Sequence, residues 1–536
     1  MGGPYGGAIP TAVTIDGAGN IVVVGSFLLT QNLGGSDLVC NNGSWDMFVA
    51  KYNAAGSHLW SNGFGGVEDD SCLAVGVDGS GNVYVAGCFR RTVDFGGGGL
   101  TSAGGHDIFV AKYSATGIHQ WSHRFGDTQL DRCYGIAVDN AGDVVITGFF
   151  HGTVDFGGGN FVSVAPAGTD ATGDVFLAKY DSAGIHQWSK AFGNVGVGIG
   201  AGEGSGVAFD ASGNIIVTGE FTGTLDLGGG NLTSGPLASC FVAKYSSAGA
   251  HQWSFEAATT DGYTAGMSVA VDGSGNVIIT GMLGGTADFG GGPLVSDQSQ
   301  IALGPDMFLA RYDASGNHQW SERFGGPGGE GGEKVAADAA GHIAVVGPFS
   351  GTTSFGGDTF SDGSGNGNGF VASYDQSGVH MWSRTDHSDY YGDTHAVAID
   401  ASGDVVIAGE FANNADLGGG PLSGRMYLAK YSSPELTAVG EAPRSFALSI
   451  SAHPNPFNPE TAVSYSLPVA EHVTIEVFDA SGKRVRTLVN DDKPAGAHSV
   501  AWDGRNNQGV VVGSGVYFAR LVSSTGVRSY KLTLLK

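Results

Sequence analysis

The chain has 536 residues, including 94 glycines, and a formal net charge of −26 at pH 7. A single hydrophobic core stops growing near about 250–300 residues, so this length predicts several domains or an array of repeats. Residues 1–440 hold 15 Lys and Arg against 43 Asp and Glu, whereas residues 441–536 hold 10 against 8. Such an acidic field repels phosphate backbones and anionic lipid surfaces, so nucleic acid is not an expected partner.

The two ends of the chain give different information about location. No stretch approaches the about 18 uninterrupted apolar residues of a membrane-spanning helix, so no membrane span is predicted. The N-terminal sequence MGGPYGGAIP lacks the charged and apolar regions of a signal peptide. Two interpretations are open here: a cytosolic protein, or an exported protein whose signal peptide is absent from this sequence.

One pattern, represented by VDGSGNVYVAGCF at 77–89, recurs along the first 430 residues. The copies are 61 to 71 residues apart, which is longer than a solenoid unit and fits a four-stranded propeller blade with its loops. Aligning them on their common aspartate gives seven copies, at Asp16, Asp78, Asp139, Asp210, Asp272, Asp338 and Asp400.

The third copy illustrates the strands expected in each repeat. CYGIAVD (133–139) is a short inner strand, VVITGFF (144–150) is a strand buried on both faces, and VFLAKY (175–180) and IHQWSKAF (185–192) complete the sheet. We expect Gly142 to adopt a left-handed conformation in the first turn, where Asp139 binds its own turn backbone. Four strands in each of seven copies predict an all-β fold, a seven-bladed β-propeller spanning residues 1–433.

A histidine precedes a tryptophan by two residues in six copies. On a strand this spacing places both side chains on one face, and we expect the pairs to pack between neighbouring outer strands. One histidine per blade, spread around a perimeter, cannot converge on a metal ion, so packing is favoured over ligand contact. The histidines are His58, His119, His186, His251, His318 and His380.

The seventh copy is irregular, because YLAKYSS (427–433) is not followed by a His-Trp strand. The sequence GGPYGG at 2–7 resembles the segment that ends the other copies. We therefore expect the N-terminus to supply part of the missing outer strand.

Two family resemblances follow from these motifs. AVGVDGSGNVYVAG (74–87) and DIFVAKY (107–113) resemble the SBBP family of bacterial β-propeller repeats over roughly residues 5 to 431, which implies the fold and little about function. HPNPFNPETAVSYSLP (453–468), VTIEVFDASGKRVRTL (473–488) and AGAHSVAWDGRNNQGVVVGSGVYFARL (495–521) resemble the FlgD-type Ig-like fold used as a type A sorting domain. That resemblance implies export by the type IX secretion machinery, and a secreted or cell-surface protein of a Gram-negative bacterium. The alternating apolar strands independently predict a small β-sandwich at 449–536, preceded by a linker at 434–448.

Five cysteines lie in the repeat region, and two of them fall on one predicted hairpin. In the hairpin centred on Ser80, Cys72 and Cys88 are expected to lie directly cross-strand, where either a disulfide or two buried thiols is allowed. No other cysteine has an evident partner.

Catalytic signatures are scarce. The sequence contains no GxSxG, HExxH, Walker or CxxC motif, and DGSGN lacks the acidic spacing and final glutamate of an EF-hand loop. No catalytic residue is predicted, and the sequence favours a protein that is not an enzyme. No cofactor is predicted, although calcium remains open.

Acidic side chains precede several inner strands, at a position that would surround the mouth of the propeller channel. They either cap loop amides or form a site for a cation or a polar ligand. The acids are Asp70, Asp131, Glu203, Glu330 and Asp393, and the same face receives Arg90, Arg91, His151, Glu220, Tyr263, His387, Tyr390, Tyr391 and Glu410.

Mixed charges and aromatic side chains on a rigid scaffold are typical of binding surfaces. The sequence therefore favours an exported propeller that binds a glycan or protein through these residues. One alternative is an extracellular polysaccharide lyase or hydrolase, which needs two titratable groups within reach of one substrate. The other is a structural or assembly unit of the cell envelope.

Overall fold

The computed structural model describes residues 7–165, 173–193, 202–296, 304–363, 365–388, 390–412, 414–418, 421–423, 425–432, 449–453, 455, 457–459, 461–467, 471–493 and 496–535. Contacts divide the chain into two compact units, Met1–Pro434 and Glu435–Lys536. The described residues form strands and turns and contain no helix. They accordingly offer no helix that is long and apolar enough to cross a membrane.

Large antiparallel sheets follow one another along the N-terminal unit and order their strands as first, second, third and outer, except that the last sheet has no outer strand among the described residues. The first strands are β1 (Ala8–Ile15), β7 (Ser71–Val77), β13 (Arg132–Val138), β19 (Gly202–Phe209), β25 (Tyr263–Val271), β31 (Lys334–Ala337) and β37 (Tyr391–Ile399). The second strands are β2 (Ile21–Phe27), β8 (Val83–Phe89), β14 (Val144–Phe150), β20 (Ile215–Phe221), β26 (Val277–Gly284), β32 (Ile343–Phe349) and β38 (Val405–Ala412). The third strands are β5 (Asp46–Tyr52), β11 (Asp107–Tyr113), β17 (Asp174–Tyr180), β23 (Ser239–Tyr245), β29 (Asp306–Tyr312), β35 (Asn368–Tyr374) and β41 (Met426–Tyr431). The outer strands are β6 (His58–Phe64), β12 (His119–Phe125), β18 (His186–Phe192), β24 (His251–Thr259), β30 (His318–Phe324) and β36 (His380–Thr385).

A short two-stranded hairpin lies between the second and third strand of each sheet. Its glycine-rich turn accepts a hydrogen bond from the tyrosine that ends the third strand, as from Tyr113 to the Phe95 carbonyl at 2.9 Å. The hairpins are β3 (Thr30–Asn32) with β4 (Asp37–Val39), β9 (Thr92–Asp94) with β10 (Gly99–Thr101), β15 (Thr153–Asp155) with β16 (Asn160–Val162), β21 (Thr224–Asp226) with β22 (Asn231–Thr233), β27 (Thr286–Asp288) with β28 (Pro293–Val295), β33 (Thr352–Ser354) with β34 (Thr359–Ser361), and β39 (Asn414–Asp416) with β40 (Pro421–Ser423).

The sheets pack face to face in sequence order. The first strand of each sheet contacts the first strand of the next, and β1 also contacts β37, so the sequence of contacts returns to its start. Second strands are buried on both faces: Val24 packs with Val85 of the following sheet, whereas Val23 packs with Val406 of β38. Burial on both faces explains the continuous apolar runs in the sequence. The arrangement is that of a β-propeller-like fold.

The turn between first and second strands has the predicted geometry. In the third copy Gly142 has φ 88°, and Asp139 Oδ1 accepts hydrogen bonds from the backbone N–H groups of Ala141 and Asp143, each at 2.9 Å. The strands of that copy begin and end within one residue of their expected bounds. Local turn chemistry therefore specifies this part of the repeat.

A buried ion pair at the same turn was not anticipated. Lys51 Nζ lies 2.8 Å from Asp16 Oδ2, with side chains 2% and 4% exposed, and donates a second bond to the Gly81 carbonyl. Equivalent pairs are Lys112–Asp78, Lys244–Asp210, Arg311–Asp272 and Lys430–Asp400. The repeated basic residue of the AKY motif therefore ties the third strand to the turn.

The expectation that each repeated His and Trp share a face is wrong. His58 lies opposite Tyr52 and Trp60 opposite Lys51, so one extra residue forms a β-bulge between them. His58 therefore contacts its own hairpin at Gly35, whereas Trp60 packs towards the next sheet. The same bulge occurs in each sheet with a described outer strand. Both side chains make packing contacts, but not between neighbouring outer strands as expected, since His58 packs within its own sheet and Trp60 against a turn of the next.

The expected Cys72–Cys88 pairing is also wrong. The predicted register holds from Val77 to Ala74, but a bulge before Ala74 places Ser71 opposite Cys88. Cys72 and Cys88 are buried free thiols, and Cys40, Cys133 and Cys240 are free as well. The disulfide alternative is therefore excluded in this structure.

The first-strand bulge recurs at one position, five residues before the turn aspartate. The extra residue is Thr11, Leu73, Tyr134, Ser205, Met267 or His395 in the sheets with a recorded register shift. Glu333, directly before β31, has the same spacing from its aspartate and donates its N–H to the Val346 carbonyl. We call these seven the bulge residues.

In the described residues the seventh sheet contains β37, β38 and β41. The N-terminal segment expected to complete it, at 2–7, lies outside the described residues except for Gly7. A Cβ at Gly7 would lie 3.1 Å from the side chain of Arg425, which precedes β41. The predicted linker, 434–448, also lies outside the described residues.

The C-terminal unit contains two antiparallel sheets that share one core. Trp502 is fully buried there, with Val463 and Tyr465 from one sheet and Ile475 and Leu521 from the other. The sheets are β42 (Ser449–His453), β43 (Thr461–Leu467) and β46 (Gly496–Trp502), and β45 (Arg484–Lys493), β44 (Glu471–Asp479), β47 (Gly515–Ser523) and β48 (Gly526–Leu534).

Candidate ligand-binding site at the loop end

The thirteen predicted site residues lie at one end of the N-terminal unit, opposite the aspartate turns. We call this the loop end: the starts of the first strands, the ends of the second strands and the loops that follow. The structure does not gather all thirteen into one site. Two groups meet, one on β19 and β20 and the other on β37 and β38, and the rest have separate roles.

Asp70 caps backbone amides, as one of the two interpretations expected. It is fully buried, and its carboxylate accepts hydrogen bonds from the N–H groups of Gly66 at 2.8 Å and Arg90 at 2.9 Å. Burial raises the pKa of Asp70 to about 7, with smaller contributions from the carboxylates of Asp46 and Asp69. Through its bond to the Arg90 N–H, Asp70 holds the loop that carries Arg90.

Asp131 has the equivalent role in the third sheet. It accepts hydrogen bonds from the N–H groups of Asp127 and His151, both at 3.0 Å. Burial raises the pKa of Asp131 to about 7. The His151 ring is 2% exposed, and its Nδ1 lies 2.9 Å from the Leu130 carbonyl, so this histidine is held inside the loop.

Glu330 is the third capping residue. Its Oε2 accepts a hydrogen bond of 3.3 Å from the Gly326 N–H, and burial raises its pKa to about 7.

Arg91 and His387 are exposed loop residues with positive φ. Arg91 Nε lies 3.8 Å from Glu68 Oε1. The exposed Tyr390 lies on the same loop as His387. None of these residues is drawn into a buried cluster.

Glu203 and Glu220 face each other across β19 and β20. Burial and the Glu220 carboxylate raise the pKa of Glu203 to about 7, and burial also raises the pKa of Glu220. Ser205 Oγ lies 3.5 Å from Glu203, at the limit of a hydrogen bond. The charge of Glu220 contributes to the raised pKa of Tyr263, after burial. Two half-buried carboxyl groups therefore share one small region.

Asp393 and Glu410 form the equivalent cross-strand pair on β37 and β38. Here an imidazole joins them: His395 Nδ1 lies 3.2 Å from Glu333 Oε2 and 3.8 Å from Asp393 Oδ2, while its Nε2 lies 3.8 Å from Glu410 Oε1. Tyr391 donates a hydrogen bond of 3.4 Å to Asp393 Oδ2. The group thus combines one imidazole, three carboxylates and a phenol.

The electrostatics of this group depend on both burial and charge. Burial raises the pKa of Asp393 above its usual range, and the carboxylates of Glu333 and Glu410 add to the effect. Burial disfavours a charged His395, but the hydrogen bond to Glu333 and the neighbouring carboxylates outweigh it and raise the pKa of the imidazole. Without a bound cation, His395 is therefore the positive partner of this acidic cluster.

Glu333 and His395 were missed by the sequence prediction. Both are bulge residues, from adjacent sheets, and their side chains meet because β31 contacts β37. Arg132 and Tyr134 were missed as well; Arg132 approaches the Tyr134 hydroxyl at 3.5 Å, and its positive charge lowers the pKa of Glu203 slightly. The available signal was the alignment of the copies, in which the position five residues before the turn aspartate differs in every copy.

The comparisons with known proteins concern different parts of the chain. The FlgD Ig-like domain family matches residues 458–526. An uncharacterized WD repeat-containing protein, L264 of Acanthamoeba polyphaga mimivirus, is 22% identical over 442 residues, which are 69% of this chain and 31% of that protein. The regulatory protein FlaEY of Caulobacter vibrioides is 28% identical over 153 residues, 27% of this chain and 15% of that protein. The chain therefore spans less than a third of the length of either relative.

Two solved structures are also similar. PorZ, a surface component of the type-IX secretion system of Porphyromonas gingivalis, is 11% identical with a TM-score of 0.22, over 98% of this chain and 81% of PorZ. An ulvan lyase of a polysaccharide lyase family is 10% identical with a TM-score of 0.37, over 80% of this chain and 94% of the lyase. Scores this low carry no argument about function. The N-terminal unit is thus β-propeller-like by its own sheet arrangement, and the C-terminal unit carries an Ig-like domain of the FlgD type.

Proposed function

We propose that this protein is an exported seven-bladed β-propeller of the SBBP repeat type that binds a glycan at its loop end. Each large sheet is one blade, and the contact between β1 and β37 closes the ring.

The observation that carries the proposal is the pair of facing carboxyl groups at matching places in two blades. Glu203 faces Glu220, and Asp393 faces Glu410, both at the loop end of the first and second strands. A buried carboxyl group is costly unless it is paired or protonated, so two such pairs need a functional reason. Repeated side chains such as His58 and Trp60, by contrast, are explained by packing.

The chemistry of these pairs fits hydroxyl-rich ligands. Glu203, whose pKa burial raises to about 7, both donates and accepts hydrogen bonds near neutral pH, as sugar hydroxyls do. Tyr263 and Tyr391 add half-buried aromatic surface beside the pairs, which suits a sugar ring. Because residues 1–440 are strongly acidic, neutral or amino-bearing glycans are favoured over sulfated or uronate polymers.

The C-terminal unit supports delivery outside the cell. Its match to the FlgD Ig-like family over residues 458–526 supports a role as a type A sorting domain of type IX secretion. A fusion of residues 449–536 to a reporter should be exported by a cell that has this system. Retention of that reporter in the cell would contradict the sorting role and leave the ligand proposal intact.

A second function is favoured by one feature of the same site. Two carboxyl groups in different environments are the usual acid and base of glycan cleavage. Glu203, whose pKa burial raises to about 7, and Glu220, whose pKa burial also raises, supply two facing carboxyl groups for such a reaction. The alternative predicts new reducing ends from a neutral or amino glycan that the protein binds.

A glycan array tests the binding proposal. The full chain should be retained on a defined set of neutral or amino glycans, and the double variant Glu203→Gln with Glu220→Gln should lose at least tenfold in apparent affinity. Gln120→Ala, on an exposed outer strand, is the matched control and should bind normally. Absence of retention on every glycan, or equal retention by the double variant, would contradict the proposal.

A further inference from the structure

We propose that Glu333, Asp393 and His395 form a site for a divalent transition-metal ion such as Zn²⁺, between the sixth and seventh sheets. The site shares Asp393 and Glu410 with the proposed glycan site, but the inference concerns a cation held by the protein alone and is tested without a glycan. In the described residues this is the one group of histidine, cysteine and acidic side chains whose ligand atoms lie within 4.8 Å of one another. It is not built from a sequence motif, because its members come from two sheets.

The spacing of the ligand atoms fits a metal ion. Zn–N and Zn–O bonds of about 2.0–2.2 Å in tetrahedral geometry place neighbouring ligand atoms about 3.4 Å apart. His395 Nδ1 lies 3.2 Å from Glu333 Oε2 and 3.8 Å from Asp393 Oδ2, which brackets that value. An ion therefore needs only small side-chain adjustments to contact all three.

Two polar atoms of the group have no hydrogen bond. Asp393 Oδ1 and His395 Nε2 are buried and have no hydrogen bond, and the Asp393 side chain is 10% exposed. Buried polar atoms are nearly always satisfied, so an unsatisfied pair at one place indicates a missing ligand. Asp393 Oδ1 is free to give bidentate coordination of the ion. The absence of a hydrogen bond at His395 Nε2 indicates that this nitrogen has a second role, apart from metal binding.

That second role is orientation of the histidine. A metal-bound imidazole usually donates its other N–H to a carboxylate, which fixes the ring and increases its basicity. With Nδ1 on the metal, Nε2–H faces Glu410 Oε1 at 3.8 Å, too far for a hydrogen bond now and close enough to form one after a small movement. Glu410 is thus a positioning residue, and Tyr391 orients Asp393 in the same way.

The donor set decides the class of ion. Calcium and magnesium prefer oxygen ligands, and an imidazole nitrogen disfavours both. One nitrogen and two carboxylates suit Zn²⁺ or Mn²⁺, and three protein ligands leave a coordination position open for water or a ligand. The fourth blade has the matching carboxyl pair, Glu203 and Glu220, but a serine, Ser205, at the bulge position, so it lacks the nitrogen donor.

The test is metal binding by the purified, untagged full chain after chelator treatment. Equilibrium dialysis with Zn²⁺ should give one tightly bound ion per chain, with Ca²⁺ at least tenfold weaker. His395→Gln and Asp393→Asn should each weaken Zn²⁺ binding at least tenfold, and Glu410→Gln should weaken it less. The control is His342→Gln, which removes a histidine bonded to Asp338 at 2.7 Å outside the group and should leave Zn²⁺ binding unchanged.

Two further measurements keep the test decisive if a variant does not fold or if a cysteine binds the ion. Glu333 precedes β31, so Glu333→Gln provides a variant outside the strands if the β37 variants do not fold. Co²⁺ bound in place of Zn²⁺ should show ligand-field bands without thiolate charge-transfer bands, which excludes the five cysteines as ligands. The proposal is overturned by no binding at one equivalent, by unchanged binding in His395→Gln or Glu333→Gln, or by a thiolate spectrum.

Discussion

Trp60 Nε1 donates a hydrogen bond of 3.0 Å to the carbonyl oxygen of Ala115, a residue of the following sheet. The tryptophan ring also covers Gly117, two residues further along that turn. Trp188 repeats the bond to Ser247, so the outer strand of one sheet is fastened to a turn of the next. The repeated tryptophan is therefore an intersheet contact, and its glycine partner is part of the same contact.

Substitution of that glycine should destabilise the N-terminal unit. A Cβ at Gly117 would lie 2.7 Å from the Trp60 ring, at φ +83°. Gly117→Ala is expected to lower the midpoint of thermal unfolding by the cost of positive φ plus the cost of displacing the indole. Gly56→Ala is the matched control, because Gly56 has φ +79° and meets no described atom within 4 Å. Equal losses from the two variants would show that the indole contact contributes nothing.

The buried ion pair gives a second expectation. Lys51→Met leaves Asp16 as a buried carboxylate without its cation, which costs about 3 kcal/mol or more in such pairs. Lys430→Met should cost less, because the Lys430 side chain is 28% exposed and solvent compensates. Urea unfolding monitored by tryptophan fluorescence measures both. A larger loss from Lys430→Met would contradict the burial argument.

The stability contributed by the buried carboxyl groups should fall between pH 5 and pH 8. An unfolded aspartate releases its proton near pH 3.9, whereas burial raises the pKa of folded Asp131 to about 7. Between these values the folded state binds more protons than the unfolded state, so the free energy of unfolding decreases as pH rises. Asp70, Glu203 and Glu330 act in the same direction.

Thermal unfolding at pH 5 and pH 8 measures this slope, and Asp131→Asn should reduce it. Asp94 is an exposed control: backbone N–H donors of Gly96 and Gly98 lower its pKa, so Asp94→Asn should leave the slope between pH 5 and 8 unchanged. A slope that is the same in Asp131→Asn and the unmodified protein would contradict the assignment.

The cysteines should behave as unreactive thiols. Burial raises the pKa of Cys72 and Cys133 above the usual range and that of Cys88 to about 12, which suppresses the reactive thiolate. We expect alkylation of all five cysteines in denaturant without a reductant, and of Cys40 alone, which is half-buried, in the native protein. A disulfide would leave its two cysteines unalkylated in denaturant, and that outcome would contradict this prediction.

The sequence predicted much of the fold because its rules are local. Asp139, Gly142 and the apolar strand that follows determine a turn and a buried strand from adjacent residues alone. The relative positions of His58 and Trp60, and of Cys72 and Cys88, were mispredicted for one shared reason. A β-bulge adds one residue to a strand without changing its composition, so the alternation of side chains gives no sign of it.

The site was less predictable than the fold. Asp70, Asp131 and Glu330 were grouped with Glu203 and Asp393 because all five precede first strands. The three capping acids lie three residues before the bulge residue of their copy and bind backbone amides. Glu203 and Asp393 lie only two residues before the bulge residue and are part of the first strand. His395 and Glu333 meet only because two sheets are neighbours in space, which single-copy motifs do not record.

The bulge residues have a consequence for how the repeat can diversify. A bulged residue is left out of the strand ladder, so its side chain can change without disturbing cross-strand pairing. Its neighbours in the copies that flank it are also bulge residues, as Glu333 is for His395. Duplication followed by change at this single codon would therefore generate new chemistry between neighbouring first strands while the intersheet contacts of the repeated tryptophans are inherited unaltered, and the same seven codons are where a designer would begin.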